Sequence, residues 1–163
     1  VHWASKALQH VDGGAVRRQN AEMIAPLPVD EFICYARAGL EDAPKDSLST
    51  LFTVTVPPVS GDPSSTELLQ RTIYQILCYN VHRGDAIGLD ASTGSIYISM
   101  ATCNEAEALA FIERAQLYVS QFEFCDPGSG APLKLLWSHS TAASVQGLQT
   151  IDGLEEKAGE HVS

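Results

Sequence analysis

Residues 80–100, NVHRGDAIGLDASTGSIYISM, gather the side chains best suited to chemistry. His82 and Arg83 run into Gly84-Asp85 and then into two short apolar runs around a turn. A basic pair beside an acid at a chain corner either binds a ligand or closes a turn. Both readings have a physical basis. Gly84 suits a helix C-terminus, and a basic residue there faces the negative end of the helix dipole. Asp85 would then be a turn acid. His139, between Ser138 and Ser140, invites a Ser-His reading. No Gly-x-Ser-x-Gly elbow accompanies it, so an edge-strand histidine is the preferred reading.

The bulk properties bound what such a corner could serve. A chain of 163 residues is about one domain, and 45% apolar residues can build a sizeable core. A formal charge of -10 argues against a general nucleic-acid or anionic-membrane surface. It leaves room for a local pocket that takes one small anion. No apolar run approaches the roughly 20 residues of a membrane helix. The first ten residues lack the apolar core of a leader. Cys34, Cys78, Cys103 and Cys125 form no CxxC pair, so buried free thiols in a cytoplasmic protein are expected. No metal site or cofactor is expected.

The elements that must position the corner follow from pattern. Residues 1–24, with Gly13-Gly14 and Arg17-Arg18, read as a short helix or linker arm. Asp30 is a candidate cap for a helix over EFICYARAGL, ending at Gly39. LSTLFTVTVPP alternates Phe52, Val54 and Val56 against threonines, a strand stopped by Pro57-Pro58. Ser64 or Ser65 would start a helix, Ser64 with Glu67 as a capping box, and Asp62 reads as a turn residue. That helix should bury Leu69, Ile73, Ile76 and Leu77, run to about His82 and stop at Gly84. DAIGLD and SIYISMA form a hairpin, the latter with Ile96, Ile98 and Met100 on one face. Asn104 caps a helix whose inner face is Ala108, Ile112, Ala115 and Val119. FEFCDPGSGAP holds a brief strand, and LKLLWSHSTA is a strand alternating Leu133, Leu135 and Trp137. Tyr74, Tyr79 and Tyr97 should be half-buried aromatics. From Ser144 the chain is acidic and weakly patterned, ending in a helix or in disorder. The expected fold is α+β, a ferredoxin-like, nucleotide-cyclase-like antiparallel sheet with its two crossover helices on one face. Its expected divisions are an N-terminal arm and helix (1–46), the sheet domain (47–143) and an acidic tail (144–163).

Residues 51–142 resemble a degenerate GGDEF, or diguanylate-cyclase-like, domain. NVHRGDAIGLD takes the place of that family's RxxD segment, STGSIYISM its signature hairpin, EAEALAFIERA its second helix and LKLLWSHSTA the strand after it. The departures bear on chemistry. Ser92-Thr93-Gly94-Ser95-Ile96-Tyr97 lacks the carboxylates that would hold magnesium, and LFTVTVPPV ends without the metal-binding Asp. The resemblance therefore implies no cyclase activity. What it retains is the family's inhibitory site, where an RxxD motif grips cyclic di-GMP. There the Arg forks onto phosphate and a guanine edge, and the Asp accepts from guanine. Asp85 matches the Asp, while His82 stands three places earlier where the family has Arg. Either Arg83 substitutes after a small backbone shift, or His82 weakens the site. HRGD is one residue from the Arg-x-Gly-Asp form of receptor domains in bacterial exopolysaccharide and cellulose secretion systems. Arg114 is the candidate auxiliary arginine, or else a solvated helix residue. The implied function is a non-catalytic cyclic di-GMP-sensing regulatory domain, with His82, Arg83, Asp85 and Arg114 as ligand residues. The alternative is a ligand-free protein-interaction or dimerisation module on the same fold, with a protein partner or a second copy.

Overall fold

Alternating β-branched and aromatic residues make Leu48–Thr55 the strand on which the rest is hung. The computed structural model describes residues 25–82 and 84–162. Its elements run α1 (Val29–Asp42), β1 (Leu48–Thr55), α2 (Pro63–Cys78), β2 (Ala86–Asp90), β3 (Ser95–Met100), α3 (Glu105–Ser120), β4 (Leu136–Ala143) and α4 (Ser144–Val162). The arm expected over residues 1–24, and Arg83, lie outside the described residues.

The four strands form one antiparallel sheet in the order β2-β3-β1-β4. From β1 onward this is the split βαβ arrangement, so the α+β, ferredoxin-like expectation holds. Register fixes the faces. Phe52 sits opposite Ile98, and Val54 opposite Ile96, on the face covered by α2 and α3. Leu69, Ile73, Ile76 and Leu77 of α2 pack there with Ala108, Phe111, Ala115 and Val119 of α3. Phe111 is buried in the place expected of Ile112, which is only half-buried.

The second face is covered as well. Phe32, Ile33, Ala36 and Leu40 of α1 and Ile151 of α4 pack with Leu51, Ala86 and Tyr97. Phe32 stacks on Tyr97 at 5.9 Å between ring centroids. Gly88 permits this approach, because a Cβ there would lie 2.4 Å from the Phe32 Cβ. The two crossover helices do share one face, and the flanking helices close the other. The acidic tail is a helix because Leu148, Ile151 and Leu154 fall at helical spacing against α1. Arg37 of α1 binds Asp152 and Glu155 of α4 across that seam.

Several boundaries differ from the sequence pattern. α1 starts after Pro28, with no side-chain cap, and runs through Gly39 to Asp42. α2 is capped by Asp62, which accepts from the Ser64 amide, with Pro63 in the first turn. Asp62 is thus a helix cap and not only a turn residue. α2 ends at Cys78, so neither His82 nor Gly84 belongs to its terminus. Residues 122–132 contribute a single bridge, Cys125 to Pro132, and β4 begins only at Leu136. Asn104 caps α3 in a full capping box with Glu107. Cys103 is buried, Cys78 and Cys125 are half-buried, and Cys34 is exposed.

Candidate ligand cleft

The segment that leaves α2 is held tightly before it reaches the corner. The Asn80 amide donates to the Leu77 carbonyl, and Asn80 Nδ2 donates to the Ile76 carbonyl at 2.8 Å. A four-residue turn follows, in which the Asp85 amide donates to the His82 carbonyl at 3.1 Å. Its third residue, Gly84, has φ +101°, a backbone that favours glycine. The His82 amide in turn donates to Asp85 Oδ2 at 2.9 Å. Asp85 thus closes the turn from beneath, while the His82 ring stays in solvent. His82 Nδ1 lies 3.9 Å from the same oxygen, within ion-pair reach when the ring is protonated. Burial pushes the Asp85 carboxyl above its usual value, and the His82 amide and ring charge pull it back.

On α3, Glu107, Ala110, Phe111 and Arg114 follow helical spacing down one side. Phe111 anchors this stripe in the core against Phe52, at 4.8 Å between ring centroids. The Arg114 guanidinium lies over the Phe111 ring, 5.7 Å from its centroid, which orients it with no acid partner among the described residues. Between this stripe and the corner opens a cleft of about 370 Å³. His82, Asp85, Cys103, Glu107, Phe111 and Arg114 line it, with Met100 at the end of β3 and Thr102 just beyond it. Burial raises the Cys103 thiol above its ordinary value. A second cleft of about 450 Å³, lined by Ser47, Leu48 and Asn104, shares Thr102, Cys103 and Glu107 with the first.

The structure therefore brings together three of the four residues singled out in the sequence: His82, Asp85 and Arg114. The fourth, Arg83, lies outside the described residues. The pattern did not flag Glu107 as a cleft acid. The signal was available: Glu107 falls seven residues before Arg114, on the same side of the helix. Among the described residues the cleft sets one guanidinium and one imidazole against two carboxylates. Glu107 also accepts from the Asn104 amide, so it doubles as a helix cap.

The signature-like hairpin sits at the far end of β2. There Asp90 accepts from the Ser92 amide and hydroxyl, and Ser95 and Ile96 are buried. Among the described residues no group of three or more His, Cys, Asp or Glu side chains could hold a metal ion. His139 is on edge strand β4, and its Nε2 pairs with Glu105 Oε1 at 2.8 Å. Ser138 and Ser140 point to the opposite face of the sheet, so no Ser-His pair forms. No described helix is long and apolar enough to cross a membrane. No protein-family model matches this chain, and no curated protein matches it.

Proposed function

We propose that the cleft receives cyclic di-GMP and that the domain is a non-catalytic, cytoplasmic sensor of that nucleotide. The observation that supports this reading is the convergence of His82, Asp85 and Arg114 on one cleft from two separate stretches of chain. The chemistry is complementary. Arg114 can fork onto a phosphate or the acceptor edge of guanine, and its plane offers a stacking surface. The contact with His82 engages Oδ2 of Asp85, and a carboxylate carries further lone pairs for guanine N–H donors. His82 adds positive charge when protonated. The hairpin offers no paired carboxylates for magnesium, so the reading includes no cyclase step.

Calorimetric titration with cyclic di-GMP tests the proposal. Wild type should bind, and Arg114→Ala should weaken binding roughly tenfold to a hundredfold, the value of one charge-assisted contact. His82→Arg restores an Arg three residues before Asp85 and should tighten it. If neither wild type nor His82→Arg binds, the sensing role is wrong. The second reading, a docking or dimerisation module that takes no ligand, then stands. It is favoured by the engagement of Asp85 in its own turn and by the second acid, Glu107, in the cleft.

A further inference from the structure

Glu107 makes the cleft a poor site for a bare anion. A cyclic dinucleotide brings two phosphates, and an acid beside them repels both. Such an acid favours only a ligand whose own N–H donors reach it. Glu107 is placed to meet donors of that kind. It is exposed, and it lines both clefts where they meet. Its capping box fixes the side chain, with Oε1 accepting from the Asn104 amide at 3.2 Å. That bond uses one of the roughly four lone-pair sites of a carboxylate. Among the described residues no Lys, Arg or His forms an ion pair with Glu107. Asp85, by contrast, is half-buried and turned back onto the His82 amide.

The helix sets a second condition. Glu107, Ala110 and Arg114 stand at i, i+3 and i+7 on one side of α3 and line the same cleft. The acid and the guanidinium are thus about 10 Å apart along the axis. Between them Ala110 carries only a methyl group, which leaves that wall of the cleft open. A nucleotide has the matching layout, with phosphate at one end and base edge at the other. We propose that Glu107 is a specificity-determining residue of this cleft, accepting from N1–H and the 2-amino group of one guanine while Arg114 holds the phosphate. Adenine offers an unprotonated N1 and no 2-amino group, so it would set a lone pair against the carboxylate. Cyclic di-GMP carries two guanines, and Asp85 is left for the other. The second cleft, running past Glu107 toward Ser47 and Asn104, adds room for the larger ligand. This inference rests on the nucleotide reading of the cleft.

Calorimetry with cyclic di-GMP and with cyclic di-AMP tests it on wild type, Glu107→Gln and Glu113→Gln. Glutamine keeps an oxygen for the Asn104 amide, so thermal unfolding of Glu107→Gln should match wild type. Losing a negative charge should by itself tighten any anionic ligand. Glu107→Gln should instead weaken cyclic di-GMP about tenfold, the value of one charge-assisted contact, and should not weaken cyclic di-AMP. Glu113 is exposed on α3 away from the cleft, and Glu113→Gln, which removes the same charge, should not weaken cyclic di-GMP. If Glu107→Gln leaves cyclic di-GMP binding unchanged or tighter, the acid only repels and the inference is wrong. An equal loss for both nucleotides also overturns it, since Glu107 would then act through its cap. In both of these cases wild type still binds, and the sensing role survives. A wild type that binds neither nucleotide overturns the two together.

Discussion

The turns at the two ends of β2 are built from the same residue types. Each uses an aspartate and a glycine of positive φ, Asp85 with Gly84 (φ +101°) and Asp90 with Gly94 (φ +75°). They differ in what surrounds them. Asp90 reaches forward to the Ser92 amide two residues on, a surface Asx turn, and Gly94 closes the hairpin beneath the Val56 carbonyl. Asp85 reaches back three residues to the His82 amide and is half-buried against the cleft. A Cβ at Gly84 would meet no atom within 4 Å among the described residues. The hairpin turn is filled by its own packing. The corner keeps room beside its acid, and that room makes it the better place for a ligand.

The largest expected effect separates the two glycines. Gly94→Ala places a Cβ 2.5 Å from the Val56 carbonyl oxygen and also strains a positive φ. Strain of about 1–2 kcal/mol and overpacking of similar size should together cost roughly 2–4 kcal/mol in urea unfolding. The Val56 amide donates to the Gly94 carbonyl, so any shift of the turn also disturbs the end of β1. Equal losses at Gly94 and Gly84 would break the contrast between a packed turn and an open one.

Gly84→Ala comes next, at about 1–2 kcal/mol, from backbone strain alone. Among the described residues its Cβ would meet nothing within 4 Å, so no steric contribution from them adds to it. Urea unfolding of this variant beside Gly94→Ala gives the comparison directly. A loss near 4 kcal/mol at Gly84 would mean that the corner is packed as tightly as the hairpin.

What the sequence disclosed follows the same division. The hairpin turn and the strands on either side were legible because period-two alternation and a turn glycine are local signals. The α2 and α3 face was legible for the same reason, since Leu69, Ile73, Ile76 and Leu77 repeat at helical spacing. The second face was not. Gly88 reads locally as a weakness in a strand, and only the arrival of Phe32 from α1 gives it a purpose. Residues 144–162 looked weakly patterned because α4 buries a narrow stripe around Ile151 against α1, a partner about a hundred residues away. Asp62 looks like a turn acid in sequence because Asp-Pro signals both a turn and a helix start, and the following residues decide which. The cleft was half legible. His82 and Asp85 are neighbours in sequence, but Glu107 and Cys103 join them only because β3 and α3 meet at that end of the sheet.

The smallest expected effect on stability is also the sharpest test of the corner. Asp85→Asn keeps the shape, and its amide oxygen can still accept from the His82 amide. Burial raises the Asp85 carboxyl above its unfolded value, so the folded state favours the protonated form. The ionised form therefore costs the fold nothing in acid. The cost appears as pH rises from the ordinary carboxylate value through the raised one, and it is constant above both. Asn is neutral throughout. At pH 7 the variant should match wild type or exceed it slightly, within about 0.5 kcal/mol, and the difference should vanish in acid. Ligand binding should respond in the opposite direction. An asparagine presents donors where guanine N–H groups need acceptors, so affinity for cyclic di-GMP should fall on the order of tenfold or more. Urea unfolding at pH 7 and at acid pH, beside calorimetry on the same variant, separates the two roles. A stability loss above about 1 kcal/mol at pH 7 would mean that the negative charge itself holds the turn, beyond the hydrogen bond that asparagine can keep. The open corner would then be a structural clasp, and the contrast with the hairpin would rest on packing alone.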